Sequence, residues 1–221
     1  MARVYLVRME DPRRVRRRRW RAGAALAGLL GAVWLVAAAM LAPSAPVALP
    51  VAAAPAAHGR ISYPPAHLPV LDLPDGERRQ VRSLLDIGRP MQFGEFVWNE
   101  AGVPAGPVWI RVDLGLQVLS VFRAGHEIGS AVILYGADAK PTPPGVYPIL
   151  ARARHHRSTL YDAPMPYMLR LTPDGVAIHA SDVRAAAATH GCIGVPPEFA
   201  RRLFDQARRG DRVAIIGHGR R

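Results

Sequence analysis

Cysteine is almost absent from this chain, and acidic residues are scarce. Its 221 residues include one cysteine, Cys192, which excludes an intramolecular disulfide framework and any zinc site built from several cysteines. The 17 acidic residues face 29 lysine and arginine residues, so the formal net charge is +12, a balance that first suggests nucleic acid or an anionic surface as a partner. The length leaves room for one compact domain with extensions and excludes a large multidomain architecture.

The positive charge is concentrated at the N-terminus. Residues 1–21 contain nine arginines against Glu10 and Asp11, a net +7, which leaves only +5 for the other 200 residues. Residues 22–42 then form a run of 21 uncharged residues, which matches the roughly 20 residues that a helix needs to cross hydrocarbon. They predict a transmembrane anchor or uncleaved signal, with a cleaved secretory signal as the alternative. The arginines then form a basic cytoplasmic tail, so the charge indicates membrane topology and not nucleic acid binding.

Residues 43–107 predict a spacer with one short helical segment. Alanine and proline dominate its first half, where proline blocks helix formation and few large apolar side chains are available to build a core. Further on, residues 75–87 place Val81, Leu84 and Leu85 at helical spacing. This spacing favours a short amphipathic helix, to which we assign no function.

Beyond Pro107 the sequence predicts a mainly β domain over residues 108–217. Val108, Ile110 and Val112 alternate with Trp109, Arg111 and Asp113, which is the period-two pattern of a half-buried strand. Further strands are predicted at residues 118–122, 128–135, 147–150, 167–171, 176–179 and 212–216. The close spacing of the first of these implies antiparallel hairpins. One helix is predicted to begin at Pro197 and to be capped by Gly210.

Residues 176–195 contain the only cysteine and two histidines. A thiolate is the nucleophile in cysteine chemistry, and a nearby histidine promotes its formation. His179 ends a predicted strand, whereas His190 lies two residues before Cys192 and shares its face if the segment is extended. Gly191 allows the backbone to turn, so the N–H groups of Gly191 and Cys192 are candidates for an oxyanion hole. A lone cysteine can also be a buried inert residue, but its flanking residues favour the nucleophile.

The run Thr189-His190-Gly191-Cys192-Ile193, preceded by Ile178-His179, resembles the signature of the L,D-transpeptidase (YkuD-type) family. Residues 108–149 resemble the first half of that family, with a Thr-Pro-x-Gly turn at residues 142–145. The resemblance implies an L,D-transpeptidase-like β-sandwich with Cys192 as nucleophile and His179 as general base. His190, Gly191 and Thr189 would then shape the site. The family needs no cofactor and no metal. We also expect Tyr167, which is twelve positions before His179, to contribute to substrate binding in the cleft.

The same resemblance implies acyl transfer on peptidoglycan stem peptides. Cys192 would attack the carbonyl of the third residue of a tetrapeptide, release D-alanine and hold the stem as a thioester. An amine of a neighbouring stem or of a lipoprotein would then resolve the thioester, whereas water would make the enzyme an L,D-carboxypeptidase. A wall-binding module without turnover is the remaining alternative. The predicted anchor makes this a single-pass protein of the bacterial inner membrane, with its domain on the periplasmic or extracytoplasmic side.

Three features depart from the family pattern. Ala180 follows His179 where the family often has glycine or serine. Gly194 stands two residues after Cys192, where arginine or asparagine is usual. The separation of 13 positions between His179 and Cys192 is also short. These departures concern the contacts around the nucleophile and the choice of acyl acceptor.

Overall fold

Strands dominate the structure, a computed structural model that describes residues 59–136, 140–159 and 161–217. These residues contain fourteen strands, one α-helix and one 3-10 turn. The strands are β1 (Arg60–Ser62), β2 (Val70–Asp72), β3 (Arg78–Gln80), β4 (Ser83–Leu85), β5 (Phe96–Trp98), β6 (Val108–Asp113), β7 (Val118–Arg123), β8 (His126–Val132), β9 (Gly145–Pro148), β10 (Ala151–Ala153), β11 (Met168–Arg170), β12 (Ala177–Ala180), β13 (Ile193–Val195) and β14 (Arg212–Ile216). The helix α1 is Pro197–Gln206. The predicted mainly β fold with a single helix is confirmed.

Eight strands form the larger sheet, in the order β1-β4-β8-β7-β6-β14-β9, with β5 paired to β8. The central strands β6, β7 and β8 are antiparallel neighbours, as the short predicted connections imply. The register of the first pair places Ile110 opposite Val121. Strand β14 lies between β6 and β9, parallel to the first and antiparallel to the second. The C-terminal strand therefore connects β9 to the rest of the sheet.

A smaller four-stranded sheet, β10-β11-β12-β13, shares its core with the larger sheet and the helix. Ile110, Val121 and Ile128 from the larger sheet belong to the same buried cluster as Ile178 and Ile193 from the smaller one. The helix adds its apolar face, formed by Phe199, Ala200, Leu203 and Phe204. Strand β12, which contains His179, and strand β13, which directly follows Cys192, are therefore anchored in the main core of the domain.

The predicted helix over residues 75–87 is wrong, because this segment contains strands β3 and β4. Val81, Ser83, Leu85 and Ile87 are all buried, whereas the residues between them are not. This is a period of two, as in a strand. This period of two is not visible as an alternation of apolar residues in the sequence, because Ser83 is polar. The hydroxyl of Ser83 can be buried because it accepts a hydrogen bond from Arg60 and forms another with Nδ1 of the His126 ring.

The predicted spacer also ends earlier than residue 107, because strands begin at Arg60. Strands β1, β4 and β5 extend the larger sheet beyond β8, and the β2–β3 hairpin covers part of its outer face. Trp109, expected on a solvent-facing side, is only 3% exposed and stacks on Phe122 with ring centroids 4.3 Å apart. Leu73 and Val81 cover this pair. Residues assigned to the spacer thus bury the second face of the central strands.

The helix begins at Pro197 as predicted but does not end at Gly210. Its C-terminal cap is Ala207, whose N–H donates to the carbonyl of Leu203 at 2.8 Å. Gly210 lies in the following turn with a φ of +93°, a conformation that favours glycine.

The predicted basic tail, the predicted anchor at residues 22–42 and the first part of the spacer lie outside the described residues. In the three ranges that the structure does describe, no helix is long and apolar enough to cross a membrane.

Candidate active site

Parallel pairing of β12 and β13 brings His179 and Cys192 to the same side of the smaller sheet. The register places Ile178 opposite Ile193, and both side chains point into the core, where they are at most 1% exposed. Because neighbouring residues on a strand face opposite sides, His179 and Cys192 point away from the core. Both line a cavity of about 690 Å³.

The cavity has an apolar floor and a polar rim. Met165, Met168 and Ala177 form a small buried cluster against which Cys192 packs. Charged and ring-bearing side chains stand around the opening, namely Lys140, His156, Tyr161, Arg170, Asp174, His179 and His190. The nucleophile candidate therefore lies in an apolar depression with cationic and aromatic groups at its edge.

The segment before Cys192 is fixed by hydrogen bonds of two threonine hydroxyls. The Thr142 hydroxyl accepts from the Gly136 N–H at 2.9 Å and donates to the Gly191 carbonyl at 3.0 Å. The Thr189 hydroxyl donates to the Cys192 carbonyl. Gly191 has a φ of +98°, so the segment turns here. The extended conformation that would place His190 and Cys192 on one face is therefore absent at this position. Both side chains nevertheless line the cavity.

His179 is held in the tautomer that a general base needs. Its Nδ1 lies 2.8 Å from the carbonyl oxygen of Ala180, which can only accept, so Nδ1 carries the hydrogen. The lone pair is therefore on Nε2. Burial lowers the pKa of His179, the nearby His156 lowers it further, and the bond to Ala180 opposes this effect. The ring is consequently neutral at neutral pH and able to accept a proton.

Cys192 rests as a thiol. Its Sγ donates to the carbonyl of Gly175 at 3.7 Å. Burial raises the pKa of the Cys192 thiol, and the charge of Asp174 raises it further, whereas a hydrogen bond with the Ala177 backbone and the charge of Lys140 lower it. The resting pair is thus a neutral thiol and a neutral imidazole, so the thiol must lose its proton as it attacks.

The predicted site residues fall into two groups. Cys192, His179, His190 and Thr189 all line the cavity, and Gly191 lies between two of them. Tyr167 is not among the lining residues: its ring packs edge-on against Phe204 of α1, with centroids 5.8 Å apart, on the core side. The expectation that Tyr167 contributes to the cleft is not met, because its ring is packed against the helix and the core.

Two rim residues were missed by the sequence analysis. Tyr161, 46% exposed, stacks on the His190 ring with centroids 4.5 Å apart. Lys140 donates from Nζ to the hydroxyl of Tyr161 at 3.1 Å. A signal for Lys140 was present in the sequence, because it is the only lysine among 29 basic residues. Over the described parts of the chain, no group of three or more His, Cys, Asp or Glu side chains could hold a metal ion.

Comparison with known proteins matches the domain to a family. Residues 107–215 match YkuD, the L,D-transpeptidase catalytic domain. These residues form a domain of the YkuD family of L,D-transpeptidases. L,D-transpeptidase 2 of Mycobacterium tuberculosis is 26% identical over 149 residues, which are 60% of this chain and 36% of that protein. L,D-transpeptidase 1 of the same species is 24% identical over 189 residues, 65% of this chain and 75% of that protein.

A crystal structure of an L,D-transpeptidase from Stackebrandtia nassauensis gives a TM-score of 0.48 at 24% identity, over 52% of this chain and 57% of that one. The crystal structure of the Enterococcus faecium L,D-transpeptidase C442S mutant gives a TM-score of 0.47 at 26% identity, over 51% of this chain and 50% of that one. The chain spans about a third of the length of the M. tuberculosis L,D-transpeptidase 2 that it matches.

Two departures of this L,D-transpeptidase domain have a structural explanation. The residue after His179 accepts a hydrogen bond from the imidazole ring through its main-chain carbonyl. Ala180 therefore provides this acceptor just as glycine or serine would. The short separation of His179 and Cys192 is also accommodated. The connection from β12 to β13 is residues 181–192, about the dozen residues that a parallel crossover needs, and it contains no helix.

Gly194, the third departure, is required by close packing in this L,D-transpeptidase domain. It pairs with Leu134 through two backbone hydrogen bonds of 2.8 and 2.9 Å, which link the strands of the two sheets. A Cβ at this position would stand 2.7 Å from the Cβ of Ser181 and 3.4 Å from that of Leu134. The asparagine or arginine usual in the family therefore has no room here.

We expect Gly194→Ala to destabilise the protein by about 1–3 kcal/mol, the usual cost of forcing a methyl group into a packed site. Denaturant unfolding of the full chain in detergent measures this loss. Because the Cβ of Ser181 is the nearest obstacle, Ser181→Gly in the same chain should recover part of it. A Gly194→Ala variant within ~0.5 kcal/mol of the wild type would contradict the packing argument.

Proposed function

We propose that this protein is a membrane-anchored cysteine acyltransferase that acts on peptidoglycan stem peptides. The observation that carries the proposal is that Cys192, directly before β13, and His179, on the adjacent parallel strand β12, line one cavity. The membership of the domain in the L,D-transpeptidase family supports the reaction type and the substrate class. The arginine-rich residues 1–21 and the apolar residues 22–42 support an anchor in the cytoplasmic membrane, with the domain outside the cytoplasm.

In the first half of the reaction, Cys192 acylates itself with the donor stem. Nε2 of His179 takes the thiol proton as Sγ bonds to the carbonyl carbon of the third residue of a tetrapeptide. The oxygen of the resulting tetrahedral intermediate accepts hydrogen bonds from the N–H groups of Gly191 and Cys192, the candidates for the oxyanion hole. The intermediate then loses its C–N bond. His179 returns the proton to the leaving nitrogen, so D-alanine departs and a thioester remains.

In the second half, the amine of a neighbouring stem attacks the thioester. His179 accepts a proton from that amine and returns it to Sγ, which restores the thiol. The product is a crosslink between two stems. A lipoprotein amine in the same position would yield an anchored lipoprotein, and water would yield a trimmed tripeptide.

Mass spectrometry of the full chain in detergent, incubated with a disaccharide tetrapeptide, tests this function. We expect a protein mass increased by the donor minus D-alanine, followed by a crosslinked dimer. Because Cys192 is the only cysteine, protein alkylated beforehand with iodoacetamide is a site-specific control. Tripeptide without dimer identifies a carboxypeptidase. Absence of both D-alanine and the adduct refutes the acyltransferase in favour of a binding module.

A further inference from the structure

Lys140 is the only lysine of a chain that otherwise uses arginine for every basic side chain, 28 times in all. It lies at the rim of the catalytic cavity. A lysine ammonium is a compact charge with three donors on a flexible stem, and arginine does not reproduce it. The position of this residue therefore deserves a functional explanation that the mechanism above does not supply.

The backbone around Lys140 is packed against the loop of the nucleophile. A Cβ on Gly136 would stand 2.2 Å from the Lys140 carbonyl oxygen and 2.8 Å from the nitrogen of Gly191. A Cβ on Gly191 would stand 3.7 Å from Cγ of Lys140. The aliphatic stem of Lys140 thus passes beside Gly191, one residue before Cys192.

The ammonium group is held at the cavity opening by Tyr161. Nζ donates to the tyrosine hydroxyl at 3.1 Å and stands 5.4 Å from the centre of its ring. The same ring stacks on His190. Tyr161 therefore fixes Nζ beside the site and occupies one of its three donors, which leaves two for a ligand.

The charges at the rim favour an anionic ligand. Lys140 and Arg170 line the cavity, whereas Asp174 is the one carboxylate among the lining residues that the structure describes. Within residues 59–136, 140–159 and 161–217, no salt bridge joins an acidic side chain to Lys140, although, beside the hydrogen bond with Tyr161, the charge of Asp174 raises the pKa of its ammonium. Lys140 lines the same cavity as Cys192 and its stem passes beside Gly191, so its ammonium is placed to contact an anion next to the attacked carbonyl.

In a stem with one residue after the attacked carbonyl, that anion is the terminal carboxylate. One C–N, one N–Cα and one Cα–C bond separate the two carbons, so they lie within about 5 Å of each other. We infer that Lys140 binds the C-terminal carboxylate of the leaving residue and so selects donors with a single residue beyond the attacked carbonyl. This inference rests on the proposed function and adds a specificity residue to it.

Two donors that differ only at the C-terminus test the inference: a stem tetrapeptide with a free carboxylate and its carboxamide. The rate of release of D-alanine or D-alaninamide gives kcat/KM for each. We expect wild-type protein to prefer the acid by about tenfold or more, the effect of one charge-assisted hydrogen bond. Lys140→Met should lose this preference, chiefly through a higher KM for the acid.

Matched variants separate the carboxylate contact from other effects of charge. Arg209→Gln also removes one positive charge, but Arg209 is exposed in the turn after α1 and does not line the cavity, so the preference should be unchanged. Tyr161→Phe, which removes the partner of Nζ, should weaken the preference a few-fold. Any effect of Lys140 on the thiol changes both donors equally and cancels in their ratio.

Equal kcat/KM for acid and amide in the wild type, or an equal loss for both donors in Lys140→Met, would overturn the carboxylate contact and leave the acyltransferase intact. Turnover of neither donor by the wild type would overturn the acyltransferase and the contact together. A retained preference for the acid in Lys140→Met would assign the carboxylate to another residue.

Discussion

Cys192→Ala abolishes release of D-alanine and formation of the acyl-enzyme, a loss that we expect to be on the order of 10⁴-fold or more. The chain has no second cysteine, so no other thiol can substitute. The fold should be retained, because Sγ packs only against a small cluster of Met165, Met168 and Ala177 at the cavity floor. Release of D-alanine, measured beside thermal unfolding, separates loss of chemistry from loss of structure.

Cys192→Ser is the sharper control, since it keeps a hydroxyl of similar size at the same position. A hydroxyl is far less acidic than a thiol, and His179, neutral but of lowered pKa, is too weak a base to compensate. We expect the serine variant to bind donor and to remain within a few-fold of the alanine variant in rate. Activity of either variant above about one hundredth of the wild type would exclude Cys192 as nucleophile.

His179→Gln reduces kcat/KM by about 10²–10⁴-fold, the contribution of a positioned general base. The pH profile gives a signature that a structural role would not. Burial holds the pKa of His179 below the ordinary value of a histidine. The wild-type rate should therefore rise with pH in the acidic range where the ring loses its proton, and it should be constant around neutral pH. The glutamine variant should lack this acidic limb.

Iodoacetamide alkylation of Cys192 provides the control for the glutamine variant, because it needs no donor peptide. An intact cavity in His179→Gln leaves Cys192 accessible to the reagent. A variant that reacts normally with iodoacetamide and still turns over donor at the wild-type rate would remove His179 from the mechanism and point to His190, the other cavity histidine next to the loop of the nucleophile.

The sequence predicted those features that depend on local pattern. Strands β6 and β7 follow from alternation of apolar residues, and the candidate nucleophile and base follow from five consecutive residues and a preceding histidine. The fold of residues 59–107 could not be predicted in this way. Strands that extend an existing sheet obtain their hydrogen bonds from its edge and need few apolar residues of their own, as β1 illustrates.

Tertiary contacts also decided which rings reach the cavity. Tyr167 was favoured because it precedes His179 in the chain, yet its ring contacts Phe204, whereas the exposed Tyr161 reaches His190. The direction of either side chain depends on the course of the loop between β10 and β11. The packing around Gly194 was likewise invisible, because Ser181 and Leu134 approach it from distant parts of the sequence.

The Thr142 hydroxyl, which accepts from Gly136 and donates to Gly191, determines how the site can open. Each of these bonds is buried, so breaking either leaves a polar group without a partner, and the two break together at the least cost. The backbone at Gly136, the Thr142 side chain and the turn at Gly191 therefore open together in local unfolding. Fluctuations that displace the nucleophile also displace Lys140, so catalysis and donor selection are lost and regained in the same event.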